Sequence, residues 1–387
     1  MKRLFFISLL FLAGIGGFGQ PDTIIVYDVP TQTIDTILAV SFDTTATFDN
    51  TPSSIGSFGS QVPLSLTPPI VNLFSGSNFS DIERAELFHT VTDYPIRTAI
   101  KLFGWLNDTL GHGCSAIMVG ENLVLTAAHC IQSLTTQDWI FDSILVAPAY
   151  DNGTIQPTLP TSMVDKYYVF KSFYYHTAFD DIALLQLRQP IGQQIGWAGI
   201  AFSSDTSYFS GKVFHKFSYP NVVSPFDSTK VYNGDTLYYN YGYIEIVPSN
   251  NLGVNSLEAL GIPGQSGSSF LYTDNFDYYS FGVFTFSSNY RHYQITRDVF
   301  YQFKNIMDNY AVAIQDNVAY DNSIKVYPNP TTGVFSVVNA TGDEIKIYDL
   351  FGRKVLECTG PEVDMRGYSK GIYVWSTGTA RGKVVIQ

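Results

Sequence analysis

The chain has 387 residues, a formal net charge of −12, and 15% aromatic against 14% charged residues. That length leaves room for two or three domains with a sizeable core. The acidic balance excludes a nucleic-acid partner, whose phosphates demand clustered Lys and Arg, and suits an extracellular protein. The 26 Tyr and 29 Phe favour pleated surfaces, on which flat rings pack well.

Met1, Lys2 and Arg3 precede an apolar run over 4–13 and a Gly-rich stretch over 14–19. A basic start, a short apolar run and small residues describe a secretory signal peptide over 1–19. The run is too short to span a bilayer, and no other stretch is long and apolar enough. Gly14, Gly16 and Gly19 formally match a dinucleotide fingerprint, but no strand-turn-helix unit surrounds them. Residues 20–85 are rich in Ser, Thr, Pro, Gly and Asp, with short apolar runs such as 23–27 and a spacer-like stretch over 51–80. In an exported enzyme the expectation is a propeptide; the alternative is an extension that stays attached.

From about 95 to 300, short apolar runs alternate with Gly, Pro and Asn. Strands are expected over 99–103, 115–119, 123–126, 144–147, 182–187, 239–246 and 280–286, the pattern of an all-β sandwich or barrel. Val299, Phe300, Phe303, Ile306 and Met307 follow Thr296 at helical spacing and predict one amphipathic helix. Within this region Val-Leu-Thr-Ala-Ala-His-Cys (124–130) delivers a single histidine, His129, from an apolar run. Histidine titrates near neutrality and suits proton transfer, although a lone one is usually structural. Partners follow: Asp181 in Asp-Asp-Ile-Ala-Leu-Leu (180–185) and Ser266 in Gly-Gln-Ser-Gly-Ser (264–268).

These three motifs, in the order His, Asp, Ser, resemble the chymotrypsin-type (trypsin-like) serine peptidases. Gly-Gln-Ser-Gly-Ser is more similar to the bacterial glutamyl-endopeptidase-like branch than to the digestive pattern. The resemblance covers about residues 95–315, within a peptidase domain expected over 86–318. It implies two six-stranded antiparallel barrels with a C-terminal helix, working as a monomer on protein or peptide substrates without a cofactor. It also implies Ser266 as nucleophile, His129 as general base and Asp181 as the group that orients the ring. Asp180 is the adjacent alternative, and strand neighbours face opposite ways, so only one of the pair can meet the histidine. The Gly264 and Ser266 N–H groups would form the oxyanion hole, with glycine needed for the turn of that peptide. Cys114 and Cys130 share the spacing of the family disulfide that braces the histidine, and export makes that bond expected. The alternative is two buried thiols; Cys358 is left over.

Two positions depart from the family pattern. Gln265 stands where digestive enzymes carry an aspartate that pairs with the freed N-terminus, and a neutral amide cannot make that ion pair. Alignment lines the S1 pocket with Leu260, Phe284, Thr285 and Ser287, and Phe284 replaces the histidine of glutamyl-specific relatives. A phenyl ring gives a carboxylate no hydrogen bond, so an apolar or small P1 residue is expected over Glu, with His292 the nearest substitute donor. His89, His112, His176 and His215 read as edge, turn or packing residues. No His-Glu-x-x-His, Cys-x-x-Cys or EF-hand pattern supports a metal.

A new composition begins near Asn322. Tyr-Pro-Asn-Pro-Thr-Thr-Gly (327–333), Ile-Lys-Ile-Tyr-Asp-Leu-Phe-Gly-Arg (345–353) and Gly-Ile-Tyr-Val-Trp (371–375) alternate strands with turns, the mark of a small β-sandwich over 322–387. This set resembles the C-terminal sorting domain of the type IX secretion system. The resemblance implies that machinery as a partner and export across the outer membrane of a Gram-negative bacterium. A permanent adhesion module is the alternative for the tail. A catalytically inactive peptidase fold that binds or adheres is the alternative for the whole.

Overall fold

The computed structural model describes residues 23–387 apart from 54–65, 67–77, 112, 137, 177–179, 224–228, 248–250, 254–261, 275–276, 287–290, 311–324, 339–343, 350–353 and 378–380. The proposed signal peptide, His112, Leu260 and Ser287 lie outside the described residues, as does the side chain of His176.

Six antiparallel strands close a barrel: Ala99–Leu106, Ser115–Met118, Leu123–Thr126, Ser143–Pro148, Ser162–Phe170 and Ala183–Leu187. The first three pair in sequence; Leu123–Thr126 then pairs Ala183–Leu187, and Ser162–Phe170 and Ser143–Pro148 lead back to Ala99–Leu106. Side chains such as Ile100, Met118, Val124, Val146, Val169 and Leu185 fill the inside. Branched residues suit this position because they pack against their neighbours on a pleat. The strand over 162–170 escapes the sequence reading because Asp165 and Lys166 break its apolar run.

The second sheet runs in the order Glu245–Val247, Asn251–Gly253, Arg291–Gln294, Asp277–Phe286, Ser269–Asp274, Val213–Ser218 and Tyr238–Tyr243, with Glu83–Arg84 at its edge. The single strand expected over 239–246 divides at Ile244, where the chain leaves Val213–Ser218 and turns to pair with Asn251–Gly253. Phe79, Phe214, Phe270, Phe281 and Leu252 share its core. A third cluster joins the two sheets, with Ile117, Leu125 and Leu184 from the barrel and Phe217, Tyr239 and Val283 from the second sheet.

Arg297–Asn309 is the expected helix, capped by Thr296, whose hydroxyl accepts from the Val299 N–H. It packs on more than the second sheet. Phe300 meets Phe202 at 5.2 Å between ring centroids, and Phe303 stacks on Phe170 of the closed barrel at 5.4 Å. The helix thereby bridges both halves.

The N-terminal stretch is built into this framework. Thr23–Asp28 pairs Ser162–Phe170 in register from Ile24 opposite Phe170 to Asp28 opposite Lys166, and Thr33–Leu38 forms a hairpin with it. Phe48–Asn50 pairs Gly199–Ser203. Between them, Val40 exchanges two hydrogen bonds with the Gln302 side chain, and Arg297 donates to Ala46 O.

The tail is a separate small sandwich. Lys325–Tyr327, Val334–Val338 and Glu362–Asp364 form one sheet; Lys354–Thr359, Glu344–Tyr348, Gly371–Ser376 and Arg381–Ile386 form the other. Phe335, Val337, Ile347, Val363, Trp375 and Val384 fill the space between. Cys358 is free and half-buried. No helix among the described residues is long and apolar enough to cross a membrane.

Ile24, Ile25 and Val26 are each buried, and burying such a side chain stabilises by roughly 1.5–3 kcal/mol. Deleting residues 23–53 is therefore expected to destabilise the protein by several kcal/mol, read as a lower Tm in a calorimetric scan. An unchanged Tm would show that the paired strands contribute nothing.

Candidate active site

His129 lies in the single 3₁₀ turn Ala128–Cys130 directly after the strand Leu123–Thr126. Ala127 and Ala128 are fully buried, and their small side chains let this turn press against the barrel wall. Cys130 is bonded to Cys114, which precedes the neighbouring strand. Closing that loop contributes roughly 3 kcal/mol in the chain-entropy model.

Asp181 reaches His129 from the approach to the strand Ala183–Leu187. One carboxylate oxygen lies 2.7 Å from His129 Nδ1, and the other accepts the His129 backbone N–H at 2.8 Å. Both oxygens are thus held by one residue, which fixes the ring and leaves Nε2 facing away from the acid. Burial pulls the His129 pKa down, but the Asp181 charge and hydrogen bond outweigh it, and the net shift is upward. Asp181 itself is only 1% exposed.

The neighbouring Asp180 points elsewhere. Its backbone is left-handed, at φ 51°, and its side chain accepts hydrogen bonds from Ser172 and from the Tyr293 hydroxyl of the second sheet. Two adjacent carboxylates therefore serve different halves of the molecule.

Ser266 sits in the turn before Ser269–Asp274, in the second sheet. The turn docks on the first barrel through Gly267. A Cβ on Gly267 would lie 2.1 Å from Thr126 Oγ1, 2.2 Å from Ser115 O and 3.1 Å from Ala127 N, so glycine alone permits the approach. Ser266 O also accepts the Ser115 N–H at 2.9 Å. These contacts bring Ser266 to the wall that carries His129. Gly264 has φ 90°, and a Cβ there would fall 2.3 Å from Tyr219 O. Within the described residues neither the Gly264 nor the Ser266 N–H is used in a hydrogen bond.

Gln265 is fully buried and donates to Ser218 Oγ at 3.0 Å, while its carbonyl accepts the Ile262 N–H. The amide thus anchors the turn by hydrogen bonds in place of an ion pair. Of the pocket residues, Phe284 and Thr285 are buried on the strand Asp277–Phe286. The His292 ring touches Phe284 edge-on and stacks on Phe270. His215 is also buried, with Nδ1 2.8 Å from Tyr239 OH, and burial holds its pKa down at about 3. His89 packs against Phe217 and Tyr239.

One residue missing from the sequence reading stands out here. Lys216, from the strand Val213–Ser218, is 1% exposed, and its Nζ lies 4.4 Å from the Phe284 ring centroid with no hydrogen-bond partner among the described residues. Burial pulls its pKa to about 7. The run Val-Phe-His-Lys-Phe-Ser (213–218) contained the signal, because a lysine in an otherwise apolar strand either lies on the solvent face or is buried at a cost.

The family model described as Trypsin matches residues 90–308, and that described as Secretion system C-terminal sorting domain matches 325–387. Among solved structures, the chain is similar to a Glu endopeptidase in complex with MPD, at 16% identity and a TM-score of 0.47 over 59% of this chain and 98% of that one. It is also similar to a thermostable serine protease from an extremophilic microorganism, at 19% identity and a TM-score of 0.42 over 53% of this chain and 96% of that one. With more than half of its length matched, the chain belongs to the trypsin family, on a chymotrypsin-like fold, and it ends in a type IX sorting domain that makes it a secreted or cell-surface protein.

Proposed function

We propose that the chain is a secreted serine endopeptidase, passed by its C-terminal domain to the type IX machinery. The observation that carries this reading is the double grip of Asp181 on His129. A ring held at Nδ1 by a buried carboxylate keeps its proton there and presents Nε2 as a base. Ser266 Oγ attacks the scissile carbonyl while His129 takes its proton. The tetrahedral oxyanion is held by the Gly264 and Ser266 N–H groups, each such donor being worth about 3–4 kcal/mol. Collapse expels the amine, which receives the proton from His129, and water then releases the acyl group by the reverse route. A cavity of 520 Å³ beside His129, lined by Leu106, Leu134, Trp139 and Ile140, offers apolar contact to substrate residues.

The domain limits follow the same reading: peptidase over 86–318 and sorting domain over 322–387. The pairing of Thr23–Asp28 with the barrel supports residues 20–85 as an extension that stays attached. An active enzyme whose first residue lies beyond 53 would count against it.

P1 selection turns on Phe284. Its ring and Thr285 support an apolar or small P1 residue. A second reading has an observation of its own, because the Lys216 ammonium beside Phe284 has no hydrogen-bond partner among the described residues, and that favours an acidic P1 residue.

A fluorophosphonate probe is expected to label the wild-type protein on Ser266 and to leave Ser266→Ala unlabelled. An unlabelled wild type would favour the inactive binding protein. Asp181→Asn is expected to lower kcat by about four orders of magnitude, since the ring loses its tautomer. The base must be neutral, so kcat/KM should rise with pH along a limb whose midpoint lies above the ordinary histidine value of about 6.5. The stability term has the opposite sense: it is full below about 6.5 and is lost as pH rises through the folded pKa. A P1-diverse peptide library decides the pocket. Leu, Ala or Phe on top supports the first reading; Glu or Asp on top, lost in Lys216→Met, supports the second.

A further inference from the structure

The Gly264 N–H can serve an oxyanion only if the Pro263–Gly264 peptide faces the cleft, and glycine at φ 90° has no side chain to prevent that peptide from turning over. Two hydrogen bonds hold the peptides on either side of Gly264. Pro263 O accepts the Asn221 N–H at 2.6 Å, and because a trans peptide is planar its N–H must point the opposite way. Gly264 O accepts a hydrogen bond from Ser115 Oγ at 2.8 Å, which fixes the next peptide. The first tether is backbone to backbone. The second comes from a side chain 149 residues away, on the closed barrel.

Ser115 is fully buried, and every polar atom it carries is engaged. Its N–H donates to Ser266 O at 2.9 Å, its carbonyl accepts from Thr126 Oγ1 at 2.9 Å, and its hydroxyl accepts the Tyr219 N–H at 2.9 Å while donating to Gly264 O. One residue therefore grips the turn on both sides of Gln265, through its backbone at 266 and its side chain at 264. It also follows Cys114, whose disulfide ends at Cys130 beside His129. The wall that carries the histidine and the turn that carries the serine are in this way referred to one buried point.

We infer that Ser115 is a positioning residue for the oxyanion hole: its hydroxyl pins Gly264 O so that the Gly264 N–H stays aimed at the developing negative charge. The inference rests on the serine-peptidase reading above. Removing the hydroxyl frees Gly264 O and leaves the buried Tyr219 N–H without its acceptor, which favours rearrangement of the turn.

The test compares full-length wild type, Ser115→Ala and Ser115→Thr, all exported and folded as judged by Tm. In Ser115→Ala, kcat is expected to fall about 10- to 100-fold with KM nearly unchanged, short of the full loss of a hole donor. Affinity for a peptide boronate, which presents a tetrahedral oxyanion mimic, should weaken by the same factor as kcat/KM. Binding of a substrate-length product peptide and the His129 pH limb should stay as in wild type. Ser115→Thr keeps the hydroxyl and is expected to restore part of the loss. If Ser115→Thr misfolds against its buried surroundings, the boronate-to-product affinity ratio of Ser115→Ala still decides. Wild-type kcat in Ser115→Ala, or equal weakening of boronate and product peptide, overturns the assignment of Ser115 while leaving the peptidase reading intact. A wild type that neither cleaves peptide nor takes the fluorophosphonate fails the peptidase reading first, and Ser115 with it.

Discussion

The proposed catalytic groups come from two different sheets, so the proposed site depends on the seam that keeps those sheets in register. That seam is apolar. Ile117, Leu125 and Leu184 of the closed barrel meet Phe217, Tyr239 and Val283 of the second sheet in one buried cluster, and the C-terminal helix locks it by placing Phe303 on Phe170 and Phe300 on Phe202. Close-packed interiors do not deform smoothly, so such a seam behaves as a fixed reference. Polar bonds then set the finer position. Ser115 to Gly264 and Ser266, and Tyr293 to Asp180, cross the seam beside the proposed triad.

The two aspartates show how burial and backbone conformation divide similar groups. Asp180 takes a left-handed backbone, costly for a residue with a side chain, and is held by Ser172 and Tyr293. That conformation turns the chain so that Asp181 faces His129. The pair behaves as one device, in which the first residue anchors the loop to the second sheet and the second orients the ring. Gln265 makes a comparable exchange. An aspartate in that place needs a charged partner, whereas the amide satisfies itself on Ser218 Oγ and the Ile262 N–H. Activation through a freed N-terminus is therefore not built into this turn. The N-terminal stretch instead runs as strands along the barrel.

Lys216 sits at an energetic cost. A buried ammonium without a hydrogen-bond partner is costly, and its contact with the Phe284 ring returns only part of that cost. Such a group lowers its pKa, as this one does, or awaits an anion. Its place beside Phe284, the residue expected to shape P1 selection, links this energetic penalty to specificity.

Much of this was legible along the chain. His129, Asp181 and Ser266 lie in contiguous motifs whose neighbours are small or apolar for local reasons, and the tail announces itself by turn residues at regular spacing. The helix after Thr296 was readable because its cap and periodicity are local. What the tertiary structure decided are relations between distant positions. It showed that the stretch 23–50 pairs with the sheets, that the strand expected over 239–246 divides, and that the helix spans both halves. It also showed that Ser115, anonymous in sequence, holds the glycine of a turn 149 residues away, and that Lys216 points inward. Local pattern specifies which chemistry a residue can offer; only long-range packing specifies which partner it meets, because hydrogen-bond direction and burial are properties of the assembled sheets.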